Sequence, residues 1–181
     1  MTNVKAPAQL EQGLSIDLMR ACFRYDGETG KLFWKVSPGG RLGAKAGDEA
    51  GTNISSTGYN RVGIFGKVFQ VHRIIMAITY GYWPPEVVDH INGDRLDNRL
   101  TNLRYASISQ NGANRGPDKL GKHSSEYKGV CFFDGTWRAS VAGRYLGSFN
   151  SEEAAAKVYD AVARDVWGEF ARVNFPSFEE Q

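Results

Sequence analysis

The stretch Val87–Arg115, VVDHINGDRLDNRLTNLRYASISQNGANR, decides how this chain is read. It opens with a short apolar run, Val87-Val88, that reads as the end of a strand and sets Asp89 and His90 on opposite sides of it. Asn92-Gly93 is a strong turn signal, and Asp94 to Asn102 follow as a tethered loop. Leu103 to Ala106 is long enough for one short strand, and Ser107 is a candidate N-cap for a helix over Ile108 to Ala113. Two short strands and a helix, with polar ligands on the first strand and on the helix, make a compact ββα unit. His90, one of only three histidines in the chain, stands at its centre.

That combination suits phosphodiester hydrolysis. A base must take a proton from water near neutral pH, and an imidazole with an ordinary pKa of about 6.5 is fitted to it. A hard cation must neutralise charge on the phosphate and on the departing 3′ oxygen. Asp89 and Asn111 are oxygen donors of the kind Mg²⁺ or Mn²⁺ prefers, and two protein ligands leave positions for water and phosphate. The imidazole must also be held in one tautomer, which an asparagine in the loop can do by stapling the loop or by meeting the ring. On these residues alone, a merely solvated, Asn-rich connection competes evenly with a catalytic site.

Composition narrows the classes outside this stretch. At 181 residues, 41% hydrophobic and 23% charged, the chain is globular, and its 21 glycines call for short, turn-rich elements. No apolar run approaches a membrane span, the first residues lack a signal-peptide core, and a cytoplasmic protein is expected. Cys22 and Cys131 are isolated, which argues against a disulfide framework or a Cys-rich zinc site. The net charge of +2 is too small to imply nucleic-acid binding by itself.

Upstream, Ser15 caps a predicted helix whose apolar positions are Leu14, Leu18, Cys22 and Phe23, and Lys31 to Val36 alternates as a strand. Tyr59 to Val71 reads as a hairpin around Phe65-Gly66-Lys67. His72 to Tyr80 reads as a helix burying Ile74, Ile75 and Ile78, ended by Gly81 and Pro84-Pro85. His72 there is expected to pin the helix, and Arg73 to reach backbone or phosphate. From Arg99 to Lys122 the charges are Arg99, Arg104, Arg115, Lys119 and Lys122 against Asp118 alone, a run suited to a phosphate backbone. His123 has no chemical neighbours in sequence.

Beyond a linker at 117–125 the pattern changes. Tyr127 to Phe133, Thr136 to Ala142 and Arg144 to Phe149 predict a three-stranded antiparallel meander, joined at Asp134-Gly135 and Gly143. A helix follows, with Asn150 as N-cap, Glu153 completing a capping box, and an apolar stripe of Ala155, Val158, Tyr159, Val162 and Val166. Trp137, Ala139 and Val141 face the helix, so Arg138, Ser140 and Ala142 lie on the open face. The strands are basic and the helix acidic, so the sheet is the expected DNA-facing side.

Two resemblances extend the reading. DH, the loop with N…NL and the helical Asn resemble the HNH endonucleases of the phage and intron-homing type. YDGETGKLFW and GYNRVGIFGKVFQVHR resemble their upstream segments, covering about Leu14 to Gly116. The resemblance implies His90 as general base and Asp89 and Asn111 as ligands of one divalent metal ion. It makes Asn102 the asparagine that orients the site, with Asn98 as its competitor and Asn114 as that of Asn111. YKGV…W…YLGSF…EEAAAKVYDAVARDVWGEFARVNFP resembles the DNA-binding domain of plant ethylene-response factors, over Glu126 to Pro176. It implies DNA contacts at Lys128, Ser140 and Tyr145, with Arg138 and Arg144 beside them. Cys131 and Phe133 stand where the plant proteins have arginines, so their DNA preference does not transfer.

The expected fold class is α+β. A ββα-metal (His-Me finger) nuclease unit precedes a small three-stranded antiparallel sheet packed on one helix. The expected domains are an entry region at 1–48, the nuclease at 49–116, the linker at 117–125 and the DNA-binding domain at 126–181. The expected activity is site-specific, strand-nicking cleavage of double-stranded DNA, in a bacterial host cytoplasm if the chain is phage-encoded. No membrane and no obligate protein partner is implied. The reading from another class is a non-catalytic DNA-binding regulator with a degenerate nuclease domain.

Overall fold

In the computed structural model of the protein, the described residues are 10–11, 13–39, 43–117 and 124–176. Lys119, Lys122 and His123 lie outside them. The chain divides into two compact units, Met1–Ser107 and Ile108–Gln181, and its architecture is mixed α and β.

The first unit starts with two short paired strands, β1 (Leu10–Glu11) and β2 (Leu14–Ser15). Helix α1 (Ile16–Cys22) follows, and Ser15 caps it by accepting a hydrogen bond from the Leu18 amide at 3.2 Å. The helix is shorter than its apolar spacing predicts. Phe23 belongs instead to β3 (Phe23–Asp26), which pairs with β4 (Lys31–Trp34) across the turn Gly27–Gly30. A cross-strand partner explains the change, since Phe23 sits opposite Trp34 with ring centroids 4.6 Å apart. Strand β5 (Glu49–Ala50) completes that sheet.

A second sheet holds β6 (Asn53–Ile54), β7 (Asn60–Ile64) and β8 (Lys67–Gln70). Helix α2 (Val71–Tyr80) runs from it and buries Val71, Ile74, Ile75, Met76 and Ala77. Trp83 is fully buried, stacks on Phe69 at 5.6 Å and donates its indole N–H to the Leu14 carbonyl. Strands β9 (Val87–His90) and β10 (Leu103–Ala106) pair antiparallel at the end of this core.

The second unit opens with helix α3 (Ile108–Asn114) and continues with β11 (Val130–Phe133), β12 (Thr136–Val141) and β13 (Arg144–Phe149) in sequential antiparallel order. Its hairpins turn at Asp134-Gly135 and Ala142-Gly143, with φ of 49° and 74°, and 50° and 79°. Positive φ at both residues is the turn that matches strand twist. Phe65-Gly66 does the same between β7 and β8.

Helix α4 (Glu152–Trp167) lies against this sheet, but two details differ from expectation. The cap is Ser151, whose hydroxyl accepts from the Ala154 amide, and not Asn150. The buried positions are Ala155, Ala156, Tyr159, Asp160 and Ala163, while Val166 is exposed. Small alanines let the helix approach the sheet closely, and Tyr159 fills the gap left at Gly129. A Cβ at Gly129 would lie 2.0 Å from the Tyr159 ring.

Candidate active site

The β9–β10 register puts Leu103 opposite His90 and Arg104 opposite Asp89. Across that ladder the Arg104 Nε donates to Asp89 Oδ2 at 2.9 Å, a charged pair that is almost wholly buried. Asp89 and His90 themselves are 4% and 3% exposed. A carboxylate this deep needs such a partner.

The loop from Ile91 to Asn102 is tied mostly to itself. Asn92 Oδ1 accepts from the Asp94 amide, Asp94 Oδ1 from the Leu96 amide, and Asn92 Nδ2 donates to Asp97. Arg99 forks onto both Asp97 oxygens at 2.8 and 2.6 Å, and this contact above all holds the Asp97 carboxyl down to about 2. Asn102 closes the loop at its base: Oδ1 accepts from the Asn92 amide and Nδ2 donates to the Asp97 carbonyl.

Asn98 does something different. Its Oδ1 lies 3.1 Å from His90 Nε2, and its Nδ2 donates to the Leu96 carbonyl. The second bond fixes which end of the amide faces the ring, because only the NH₂ end can donate to a carbonyl. Oδ1 is an acceptor, so Nε2 carries the proton and the ring's basic lone pair is on Nδ1. Of the two asparagines that compete in the sequence, Asn98 meets the imidazole and Asn102 staples the loop.

The Asn98 backbone is held from the far end of the sequence. Tyr25 donates its hydroxyl to the Asn98 carbonyl at 3.3 Å and accepts from the Leu100 amide at 3.0 Å. Gly30, at φ +74°, lies so close that a Cβ there would meet the Arg99 nitrogen at 2.7 Å. The β3–β4 turn is therefore a buttress for the loop that carries Asn98.

His90 is also boxed by rings. His72 meets it edge-on at 5.0 Å between centroids, and Tyr59 lies 5.7 Å from His90 and 5.2 Å from His72. Burial lowers the His90 pKa, with Asn98 and the nearby Asp89, Asp94 and Asp97 pulling it back up. Burial, then His90 and Arg73, drive His72 down to about 3, so it is neutral at physiological pH, and its Nδ1 has no hydrogen-bond partner among the described residues.

The remaining expected contacts fall in several places. Arg73 is an internal clamp, bonded to Glu11 and to the Pro84 and Glu86 carbonyls. Asn111 is half-buried on α3 and Asn114 buried, both in the second unit. Arg99 is engaged with Asp97 and Arg115 is exposed. Lys128 turns its ammonium onto the carbonyls of Gly112 and Ala113. Ser140, Arg144 and Tyr145 are exposed on or beside the open sheet face, and Arg138 lies over the Phe133 ring at 4.1 Å.

The Asp89 carboxylate is a hard oxygen donor of the kind a divalent cation takes. Among the described residues, no three His, Cys, Asp or Glu side chains gather as a metal cage. None of the described helices is long and apolar enough to cross a membrane.

Sequence reasoning missed Arg104, Tyr25, Gly30 and Tyr59. Arg104 was within reach, because laying LRYA antiparallel to VVDH puts it against Asp89. Nothing local marks Tyr25, whose partners lie more than 70 residues away.

Residues 69–113 match the family model of the HNH endonucleases, a match that runs past the boundary between the two units. The chain is 34% identical over 128 residues to an uncharacterized HNH endonuclease of Acanthamoeba polyphaga mimivirus, covering 67% of this chain and 65% of that one. It is 40% identical over 77 residues to DNA endonuclease I-HmuI of Bacillus phage SP01, covering 39% of this chain and 44% of that one. A solved structure of DNA binding and cleavage by the HNH homing endonuclease I-HmuI aligns over 51% of this chain and 50% of that one, at 33% identity and a TM-score of 0.37. The chain thus spans less than two thirds of each relative it matches.

Proposed function

From a chain homologous to viral HNH endonucleases, with the family signature at residues 69–113, we propose a site-specific, homing-type DNA endonuclease. In this reading it hydrolyses one phosphodiester per site and nicks double-stranded DNA. The observation that carries the proposal is the buried His90 held by Asn98, with Asp89 beside it on β9.

His90 acts as general base. With the proton fixed on Nε2, Nδ1 takes a proton from water, and the resulting hydroxide attacks phosphorus in line as the 3′ oxygen departs. Asp89 and Asn111 are the residues that would hold one Mg²⁺ or Mn²⁺, which supplies charge neutralisation at the phosphate and the leaving oxygen. The two strands and α3 would then form the ββα-metal arrangement. Arg104 keeps the Asp89 carboxylate in one orientation, and Asn102 keeps the loop from opening. The rings of Tyr59 and His72 pack against the imidazole and limit its contact with bulk water.

The second unit supplies the address. Its sheet-and-helix order agrees with the resemblance to ethylene-response-factor domains, and its open face presents Arg138, Ser140, Arg144 and Tyr145 to DNA. Phosphate positioning outweighs base readout on a face with this few charges.

A nicking assay on supercoiled plasmid carrying a selected target tests the proposal, with Mg²⁺, Mn²⁺ or EDTA. Relaxed circles are expected with either metal and none with EDTA. Replacing His90 with Ala should lower the rate by about 10²–10⁴-fold with DNA affinity nearly intact. Tight binding without nicking in any metal would leave a DNA-binding regulator as the better reading.

A further inference from the structure

Helix α3 has seven residues, so the carbonyls of its last turn have no partners within the helix. Two of them are met from elsewhere in the second unit. The Lys128 ammonium donates to the Ala113 carbonyl and reaches the Gly112 carbonyl at 3.5 Å. The Arg172 amide donates to Ala113 as well, at 3.2 Å.

Lys128 is itself locked. Its backbone amide donates to Asn174 Oδ1 at 2.7 Å, and Asn174 Nδ2 returns a bond to the Lys128 carbonyl. Asn174 is fastened to Asp160, a carboxylate on α4 that is 2% exposed, by its backbone amide at 2.8 Å and its side chain at 3.0 Å. The Phe175 amide takes the other Asp160 oxygen. A continuous line of bonds therefore runs from the core of α4 to the last turn of α3, where Asn111 immediately precedes the two bonded residues.

We propose that Lys128 is a positioning residue for the metal-binding end of the site, fixing α3 and with it Asn111 to the sheet-and-helix unit. This rests on the reading of Asn111 as a metal ligand. It moves Lys128 from the DNA contacts to the scaffold of the chemistry. The unit that gives the address would then also hold one of the two ligands, and binding and cleavage would share a part. Burial, with Arg172 and Arg115 nearby, pulls the Lys128 ammonium down to about 8, as befits a group turned into the protein rather than out to a phosphate.

The test uses the full chain, with Mn²⁺ binding followed by electron paramagnetic resonance and DNA binding measured separately in EDTA. In Lys128→Met, Mn²⁺ affinity should fall about tenfold, the loss typical when a group that supports a ligand is removed. DNA affinity and its salt dependence should stay as in the wild type. Lys128→Arg, which can still donate to both carbonyls, should restore Mn²⁺ binding. Asn174→Ala should move Mn²⁺ affinity in the same direction, and it serves as the probe if Lys128→Met does not fold. A phosphate-contacting Lys128 would give the reverse pattern: normal Mn²⁺ binding, weaker DNA binding and a salt slope reduced by about one. That result overturns the positioning role alone. Unchanged Mn²⁺ binding in Asn111→Ala would instead overturn the ligand reading beneath it.

Discussion

The loop from Ile91 to Asn102 and the open face of the β11–β13 sheet are both polar, and they use that polarity in opposite ways. In the loop nearly every Asn, Asp and Arg side chain bonds another part of the first unit, and Asn98 and Asn102 are buried. On the sheet Ser140, Arg144 and Tyr145 face outward, and Tyr145 bonds only Ser148 among the described contacts. Chemistry at a phosphate rewards groups already fixed before substrate arrives, since reorientation at the moment of reaction raises the barrier. Recognition of a long polyanion rewards groups that adjust to it. In the function proposed above, the first region would serve rate and the second contact.

The sharpest way to break that contrast is acid. The unfolded chain protonates His72 near its ordinary 6.5 and the folded chain only near 3. Between those values the unfolded state binds more protons, so stability falls as pH falls. From pH 7 to pH 4.5 the loss from His72 should be about 3 kcal/mol. Urea midpoints at the two pH values measure it, and His72→Phe should remove that part of the dependence.

Next comes the division between the two asparagines. Asn98→Ala should lower kcat about a hundredfold, near 2.7 kcal/mol in barrier, while leaving KM for DNA unchanged. Asn102→Ala should act chiefly on stability, losing about 1–3 kcal/mol for its two loop bonds. Thermal unfolding and single-turnover nicking on both variants separate the roles. Equal effects on kcat and stability from both changes would erase the distinction.

A smaller effect is expected at the buttress. Gly30→Ala introduces a left-handed alanine and a clash with the Arg99 backbone, for about 2 kcal/mol of destabilisation, with lowered kcat because the Asn98 loop must shift. The smallest belongs to the sheet: Arg144→Ala should weaken DNA binding uniformly and reduce the salt slope by about one, leaving kcat untouched.

Much of this was legible in the chain. Ser15, Phe65-Gly66, Asn92-Gly93, Asp134-Gly135 and Gly81 carry their local geometry in their own chemistry, and the structure follows them. Asp89, His90 and the two loop asparagines stood out as residue types. The choice between Asn98 and Asn102 was not legible, because both are loop amides and only the folded loop shows which faces the ring. Phe23 was misplaced because a helix spacing and a strand end coincide there, and its partner Trp34 is a tertiary fact. The α4 face was misread because valines outrank alanines in hydrophobicity, whereas close helix–sheet packing selects for small size. The bonds from Lys128 to the Gly112 and Ala113 carbonyls were not legible, because they join segments that only the folded unit brings together.

The amide at Asn98 has a last consequence. Exchanging its NH₂ for an oxygen, as hydrolysis of the side chain to aspartate does, changes almost nothing in shape. The bond to the Leu96 carbonyl would be lost, and a negative charge would stand against His90 Nε2. A carboxylate there favours the imidazolium, and a protonated ring cannot accept a proton from water. In the mechanism proposed above, slow chemical ageing of this one side chain would raise the His90 pKa and move the pH profile of nicking upward without unfolding the site.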